Sequence, residues 1–348
     1  MKRKFLKSLA ATALLANVPF ASLAQGARTV AQIATYEGAD RHNMLLEGAK
    51  KEGDLLVYYS HPIVQVIVDA FNKKYDLKGK TWRGGSEAAM QRVAAEHKAG
   101  KYDWDIFLNP AHDCESLSRE KLLVEVRSPY HQDLIEKGLP AHRQWVAFNL
   151  DVFTAAYNTK LLKKEDLPKS YEDLLDPKWK GKLAVEANDH AWYGALLADM
   201  GEERGSKLFE KLVATNGLSV RKGHSLLAGM VAAGEVPLAL TVYSWNPPQL
   251  KRKGAPIETH YMQPLFAIMS AVAMSSKAPH PHAAALFYDF VLNEGQKLMR
   301  EADYVTSSKK IESHMRNIQF KVIEPAELLK QQDKWFKMYD EAIIKKAR

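Results

Sequence analysis

The chain has 348 residues, 26% of them charged, a formal charge of +8 and a single cysteine, Cys114. One cysteine excludes an internal disulfide, so the fold must stand on its apolar core, and a chain of this length can bury one and divide into two domains. Acids are interspersed with bases and no long basic block carries interleaved aromatics, which speaks against a nucleic-acid surface.

The chain opens on a targeting pattern. Lys2, Arg3, Lys4 and Lys7 precede an apolar run from Leu9 to Phe20, and Ser22-Leu23-Ala24 then offers small residues ahead of Gln25. The pattern predicts a signal peptide over 1–24, with an apolar part too short to span a bilayer. Gln25 and not a cysteine directly follows it, so no anchoring through a lipidated N-terminal cysteine is expected. Setting aside its four basic residues leaves a balance near +4, compatible with an anionic ligand.

Asp54 to Tyr59 then reads as a buried strand ended by Ser60-His61-Pro62. Ile63, Val66, Ile67, Ala70 and Phe71 recur at helical spacing behind it. Gly84-Gly85-Ser86 reads as a loop, with Ser86 as an N-cap and Glu87 in the first turn. Asp105 to Leu108 is a second strand, broken by Asn109-Pro110, and Leu122 to Val126 continues the pattern. Val146 to Tyr157 is extended and apolar. Leu183 to Glu186 is a strand, and Asn188-Asp189 caps a helix carrying Trp192, Leu196 and Leu197. Gly205 to Ala214 is helical, Val220 marks a short strand, and His224-Ser225 opens another helix. Pro237 to Tyr243 is a strand, and Asn246-Pro247-Pro248 precedes a polar helix. Ile268 to Met274 is a strand, Ala283 to Leu292 a helix, and from Pro325 Leu328, Leu329, Phe336, Tyr339 and Ile343 keep helical spacing.

This alternation predicts an α/β fold with parallel sheets flanked by helices. The order implies two α/β lobes: 25–148 with 268–348 as a discontinuous first lobe, and 149–267 as the second. Two crossing strands would join them as a hinge. Ligands of open parallel sheets sit at the carboxyl ends of strands, which predicts a cleft between the lobes.

Five segments stand in an order that resembles a known family. They are Gly181-Lys182-Leu183-Ala184-Val185-Glu186, Arg221-Lys222-Gly223-His224-Ser225, the run Gly234 to Tyr243, the run Gln249 to Ile257, and Ala278-Pro279-His280-Pro281-His282-Ala283-Ala284. Together they resemble the ferric-ion-type substrate-binding proteins of ATP-driven importers, a branch of the type II periplasmic binding proteins. The resemblance implies a two-lobed, Venus-flytrap receptor in the periplasm, acting as a monomer, with a small-molecule ligand and a membrane permease as partners. It implies no cofactor and no catalysis, and the branch takes iron, phosphate esters, phosphonates and other organic anions. Members that hold ferric iron directly use two adjacent tyrosines at the end of the strand that here finishes on Tyr243. Ser244 follows Tyr243, so that pair is broken. An acid often follows the strand that here ends at Leu108, and Asn109 stands there instead. His61 matches the family's histidine position.

The candidate ligand contacts are loop tips. Ser60, His61 and Asn109 end strands of the first lobe. Arg83 and Ser86 flank a helix start that favours an anion. Asp189 reads either as an N-cap or as a contact to a ligand amine or hydroxyl, and Trp192 either as core or as a cleft wall. Arg221 and Ser225 offer a second helix start from the opposite lobe, Arg221 able to pair with a carboxylate or phosphate. Tyr243 and Trp245 complete the set. No metal site is assigned; His280-Pro281-His282 reads as a solvated turn. Enzyme patterns are incomplete, since Gly223-His224-Ser225-Leu226-Leu227 lacks the second glycine of a nucleophile elbow. A small organic anion is thus the expected ligand, with a ferric or ferric-chelate ligand and a periplasmic hydrolase as the alternatives.

Overall fold

A computed structural model describes residues 28–347, so the expected signal peptide lies outside the described residues. In chain order the strands are β1 (Leu56–Tyr59), β2 (Lys80–Arg83), β3 (Ile106–Pro110), β4 (Trp145–Asn158), β5 (Leu183–Glu186), β6 (Ser219–Arg221), β7 (Leu238–Tyr243), β8 (Ile257–His260), β9 (Phe266–Met274), β10 (Val305–Thr306) and β11 (Lys321–Val322). Hydrogen bonding runs β2-β1-β3-β9-β4-β7-β5-β6, with the short β8, β10 and β11 attached to β4 and β9. β1 is parallel to β2 and β3, and β5 is parallel to β6 and β7. These are the two parallel cores that the alternation predicts. β9 is antiparallel to β3 and β4, and β4 to β7, and these two strands bind the halves into one continuous ribbon.

β4 explains how one chain makes two lobes. Its 14 residues are all buried. Trp145 to Val152 pair with β9 on the first lobe, and Phe153 to Tyr157 pair with β7 on the second. Its register slips between Ala147 and Asn149 and again between Thr154 and Ala156, on either side of Asp151. Such irregularities bend a strand and raise its twist, so the crossing is where the ribbon turns from one sheet to the other.

Each sheet is covered on both faces, as parallel sheets require. In the first lobe, Val57, Tyr59, Ile106 and Leu108 pack under helices Ile63–Tyr75 and Pro281–Leu292. Tyr58 and Phe107 face the opposite cluster, with Ala89, Val93 and Cys114. In the second lobe, Leu183, Val185, Leu238 and Leu240 pack against Trp192, Tyr193 and Phe209, and Ala184, Ala239 and Val242 pack against Leu227 and Val231.

Two expectations change, and one strand goes unread. Leu122 to Val126 forms only an isolated bridge, Leu123 to Ser275, because it meets the chain just beyond the end of β9 rather than along a strand. β2, a half-exposed edge strand, carries too little apolar pattern to be read from sequence. The last helix, Pro325–Ala342, departs from the expected lobe boundary. Its Leu328, Trp335 and Tyr339 belong to the core of the second lobe, while it also packs on Ala111–Arg119 of the first. Gly194 permits the contact: a Cβ there would lie 2.0 Å from Cδ2 of Trp335.

Candidate functional site

The carboxyl ends of β1, β2 and β3 face those of β5, β6 and β7 across a cavity of about 350 Å3. That is at the low end of the volumes that hold small molecules, about 300–1,000 Å3. The first lobe contributes Ser60, His61, Arg83, Ser86 and His112, and the second contributes Glu186, Asp189, His224, Ser225 and Tyr243. Asp151, Ser270 and Trp245 form the floor where the strands cross.

Helix starts line both walls. Helices Ser86–Lys98 and His224–Ala233 begin after Gly85 and Gly223, and neither has a side-chain cap. The first N–H groups of a helix have no partner within it and carry a partial positive charge. Gly223 has φ +107°, a conformation that side chains with a Cβ rarely adopt, so this entry to the helix requires glycine.

Asp151 organises the floor. Its carboxylate accepts from His61 Nε2 at 3.0 Å, Asn149 Nδ2 at 2.9 Å, Trp245 Nε1 at 3.0 Å and Ser270 Oγ at 2.7 Å. Burial pushes this carboxyl up, but His61 and the donors outweigh it and hold it below the usual carboxylate range. His61 is thereby fixed through Nε2, with its ring against Phe148, Trp245 and Tyr304, and Nδ1 is buried without a partner among the described residues.

The second-lobe wall is acidic. Glu186 accepts from the backbone N–H groups of Asn188 and Gly223, tying the ends of β5 and β6 together. Asp189 Oδ1 pairs with His224 Nε2 at 2.9 Å. His224 stacks on Tyr243 with ring centroids 3.8 Å apart. Burial opposes the charged imidazole, yet Asp189 and then Glu186 raise His224 above its ordinary value. Burial raises Glu186, and the Asp189 charge adds to it. Glu186, Asp189 and His224 offer ligand atoms within 4.8 Å of one another, so they could also hold a cation.

Eight of the sequence candidates line the cavity: Ser60, His61, Arg83, Ser86, Asp189, Ser225, Tyr243 and Trp245. Three do not. Asn109 is buried and its amide donates to the Ser86 carbonyl and to Asp113 Oδ2, so it holds the Ser86 helix start in place from behind. Trp192 packs into the core against Tyr171 and Phe209, in a helix whose residues from Ala191 to Leu197 are all buried. Arg221 lines a separate groove with Lys180, Lys182 and Pro237, at the amino ends of β5 and β7, and donates to the carbonyl of Val220. The His280-Pro281-His282 turn is not merely solvated: His280 pairs with Asp105 and His282 with Glu52, fixing the start of helix Pro281–Leu292.

Asp151, Glu186 and His112 were missed. Asp151 could have been found, since an acid inside a strand with no exposed face needs partners. Glu186 gave no such signal, because a strand-end acid is ordinarily solvated.

Two lobes, a pair of crossing strands and a polar cleft at the strand ends define a type II substrate-binding protein. The chain belongs to the bacterial extracellular solute-binding protein family, whose model matches residues 119–331. The Fe(3+)-binding periplasmic protein of Serratia marcescens is 24% identical over 269 residues, 73% of this chain and 78% of its own length. A Salmonella typhimurium periplasmic protein, assigned provisionally to 2-aminoethylphosphonate binding, is 28% identical over 195 residues, 54% of this chain and 55% of its own. Among solved structures, iron-bound HitA from Pseudomonas aeruginosa superposes with a TM-score of 0.71 at 20% identity, covering 83% of this chain and 99% of HitA. AfuA from Actinobacillus pleuropneumoniae, with exogenous fructose-6-phosphate bound, gives 0.73 at 21%, covering 84% and 99%. At such identities the structures establish the fold. The chain is a solute-binding protein of the periplasmic, importer-linked kind, and its relatives are described as binding proteins rather than enzymes.

Proposed function

We propose that the chain captures a small organic anion, a phosphate ester, phosphonate or carboxylate, and presents it to the permease of an ATP-driven importer. The observation that carries this reading is the convergence of uncapped helix starts from both lobes, at Gly85-Ser86 and Gly223-His224, on one cavity. Ser60, Ser86 and Ser225 add hydroxyls, and Arg83 adds a guanidinium at the rim. Anion oxygens fit N–H groups arranged this way. The solute would dock on one lobe and the bend in β4 would let the other close over it, with ligand shifting the open and closed populations by its preference for the closed form. A dissociation constant of ~1 μM corresponds to about −8 kcal/mol, within reach of several charge-assisted hydrogen bonds. Export through a cleaved signal peptide, and action as a monomer, belong to the same reading.

The ferric alternative has less support in the residues. Tyr243 is followed by buried Ser244, so a second phenolate is missing. Burial, followed by the charges of Asp151, Asp189 and Glu186, pushes the Tyr243 phenol well above its ordinary value. A hydrolase would need His224 to reach the Ser225 hydroxyl, but the partner of Ser225 Oγ is the Asn246 amide, which donates to it at 3.4 Å.

Thermal unfolding in the presence of glycerol 3-phosphate, fructose 6-phosphate, ethylphosphonate, citrate and ferric citrate tests the reading. An organic anion at 100 times its dissociation constant should stabilise the protein by about 2.7 kcal/mol. Arg83→Ala should weaken that anion about tenfold. Failure of every organic anion, with a visible tyrosinate–iron band on adding ferric ion, would refute it.

A further inference from the structure

The acidic wall of the second lobe is an odd partner for an anion. Glu186 is internally matched, since one oxygen accepts from Asn188 N–H and the other from Gly223 N–H at 2.7 Å. Asp189 is not. Its Oδ1 accepts from His224, while Oδ2 is buried and receives no hydrogen bond from the described residues. The residue is only 3% exposed and lines the cavity. It stands at the start of helix His190–Met200, where an aspartate ordinarily accepts from the helix N–H groups, yet it makes no capping bond. A carboxylate oxygen left unpartnered in a buried place carries a desolvation cost that a bound donor would relieve.

We infer that the ligand carries a positively charged amine as well as its anionic group, and that Asp189 Oδ2 is the acceptor for that amine. This rests on the anion reading above and adds the second pole: the solute is a zwitterion, or a dipolar anion, laid across the cleft. Its acidic end lies between the helix starts at Ser86 and His224, with Arg83 and Ser60 beside it. Its ammonium end faces the second-lobe wall. Closure brings both poles into contact at once, so a ligand lacking either pole leaves one wall unmatched. The hydrogen bond to His224 and the stack of that ring on Tyr243 hold the Asp189 carboxylate in place. The charge of Glu186 beside it favours a cation over a neutral hydroxyl donor.

Matched pairs of probes test this: phosphoethanolamine against ethyl phosphate, and 2-aminoethylphosphonate against ethylphosphonate, by calorimetric titration of the wild-type protein and Asp189→Asn. In the wild type the amine-bearing member of at least one pair should bind at least tenfold more tightly. In Asp189→Asn that ratio should fall to about threefold or less. Equal affinities within both pairs in the wild type would overturn the inference while leaving the anion reading intact, and this comparison needs no variant to fold. A ratio that survives in Asp189→Asn would also overturn it. Binding of zinc or manganese alone, lost in Asp189→Asn, would overturn it by making the cluster a metal site. No binding of any of the four compounds would overturn the inference, and the anion reading falls with it only if the wider set of anions above also fails to bind.

Discussion

Replacing Asp151 by alanine removes one carboxylate and leaves four buried donors without their acceptor: His61 Nε2, Asn149 Nδ2, Trp245 Nε1 and Ser270 Oγ. Breaking a buried charged network from one side costs about 3–5 kcal/mol, because the groups left behind stay desolvated. Mid-sized domains shift by about 2–4 °C per kcal/mol, and the shift shrinks with chain length. At about 2 °C per kcal/mol for this larger chain, the melting temperature should fall by about 6–10 °C at neutral pH, read by calorimetry. The acid dependence follows from the same carboxyl. Its folded value lies below the usual range, so its stabilisation is present above the unfolded value near 3.9 and is lost as pH falls through the folded value. The gap between wild type and Asp151→Ala should therefore narrow below about pH 4. A loss under about 2 °C at neutral pH, or a gap unchanged at pH 3, would refute the assignment of Asp151 as the organiser of the crossing.

Arg221→Ala should leave the affinity for the captured anion within about twofold in titration, since Arg221 lies in a separate groove. Trp192→Ala should cost about 3–5 kcal/mol in denaturant unfolding by emptying a core site between Tyr171 and Phe209. Gly194→Ala should cost about 1–3 kcal/mol, because its Cβ would drive Trp335 off the helix. Burial pushes His131 down to about 4 and His112 down to about 3, so the unfolded chain takes up protons first and stability should fall as pH drops from about 6.5 toward 4. Conversion of both to glutamine should flatten that slope in pH-dependent calorimetry.

The strands of both lobes are legible because buried parallel strands are short apolar runs closed by turn residues, as Leu183–Glu186 and Leu238–Tyr243 are. The cleft follows from where those runs end, and eight candidate residues fall there by backbone position alone. Side-chain direction is what sequence conceals. Arg221 ends β6 within its expected lobe, but its guanidinium turns back to the Val220 carbonyl. Helix His190–Met200 is apolar without a break from Ala191 to Leu197, so its pattern does not say whether Trp192 faces cleft or core. Asp189 reads as a cap because aspartates before helices usually are caps; its pairing with His224, 35 residues on, is a tertiary fact. The same holds for the last helix, whose apolar spacing is plain but whose docking on the second lobe depends on the surface that Gly194 leaves open to Trp335.

Native mass spectrometry of the protein as released from the periplasm weighs what the cleft holds. Capture of an organic anion predicts an added mass that matches a phosphorus- or carboxylate-bearing compound and disappears on denaturation. An added mass of iron alone, with no organic species beside it, would contradict the account.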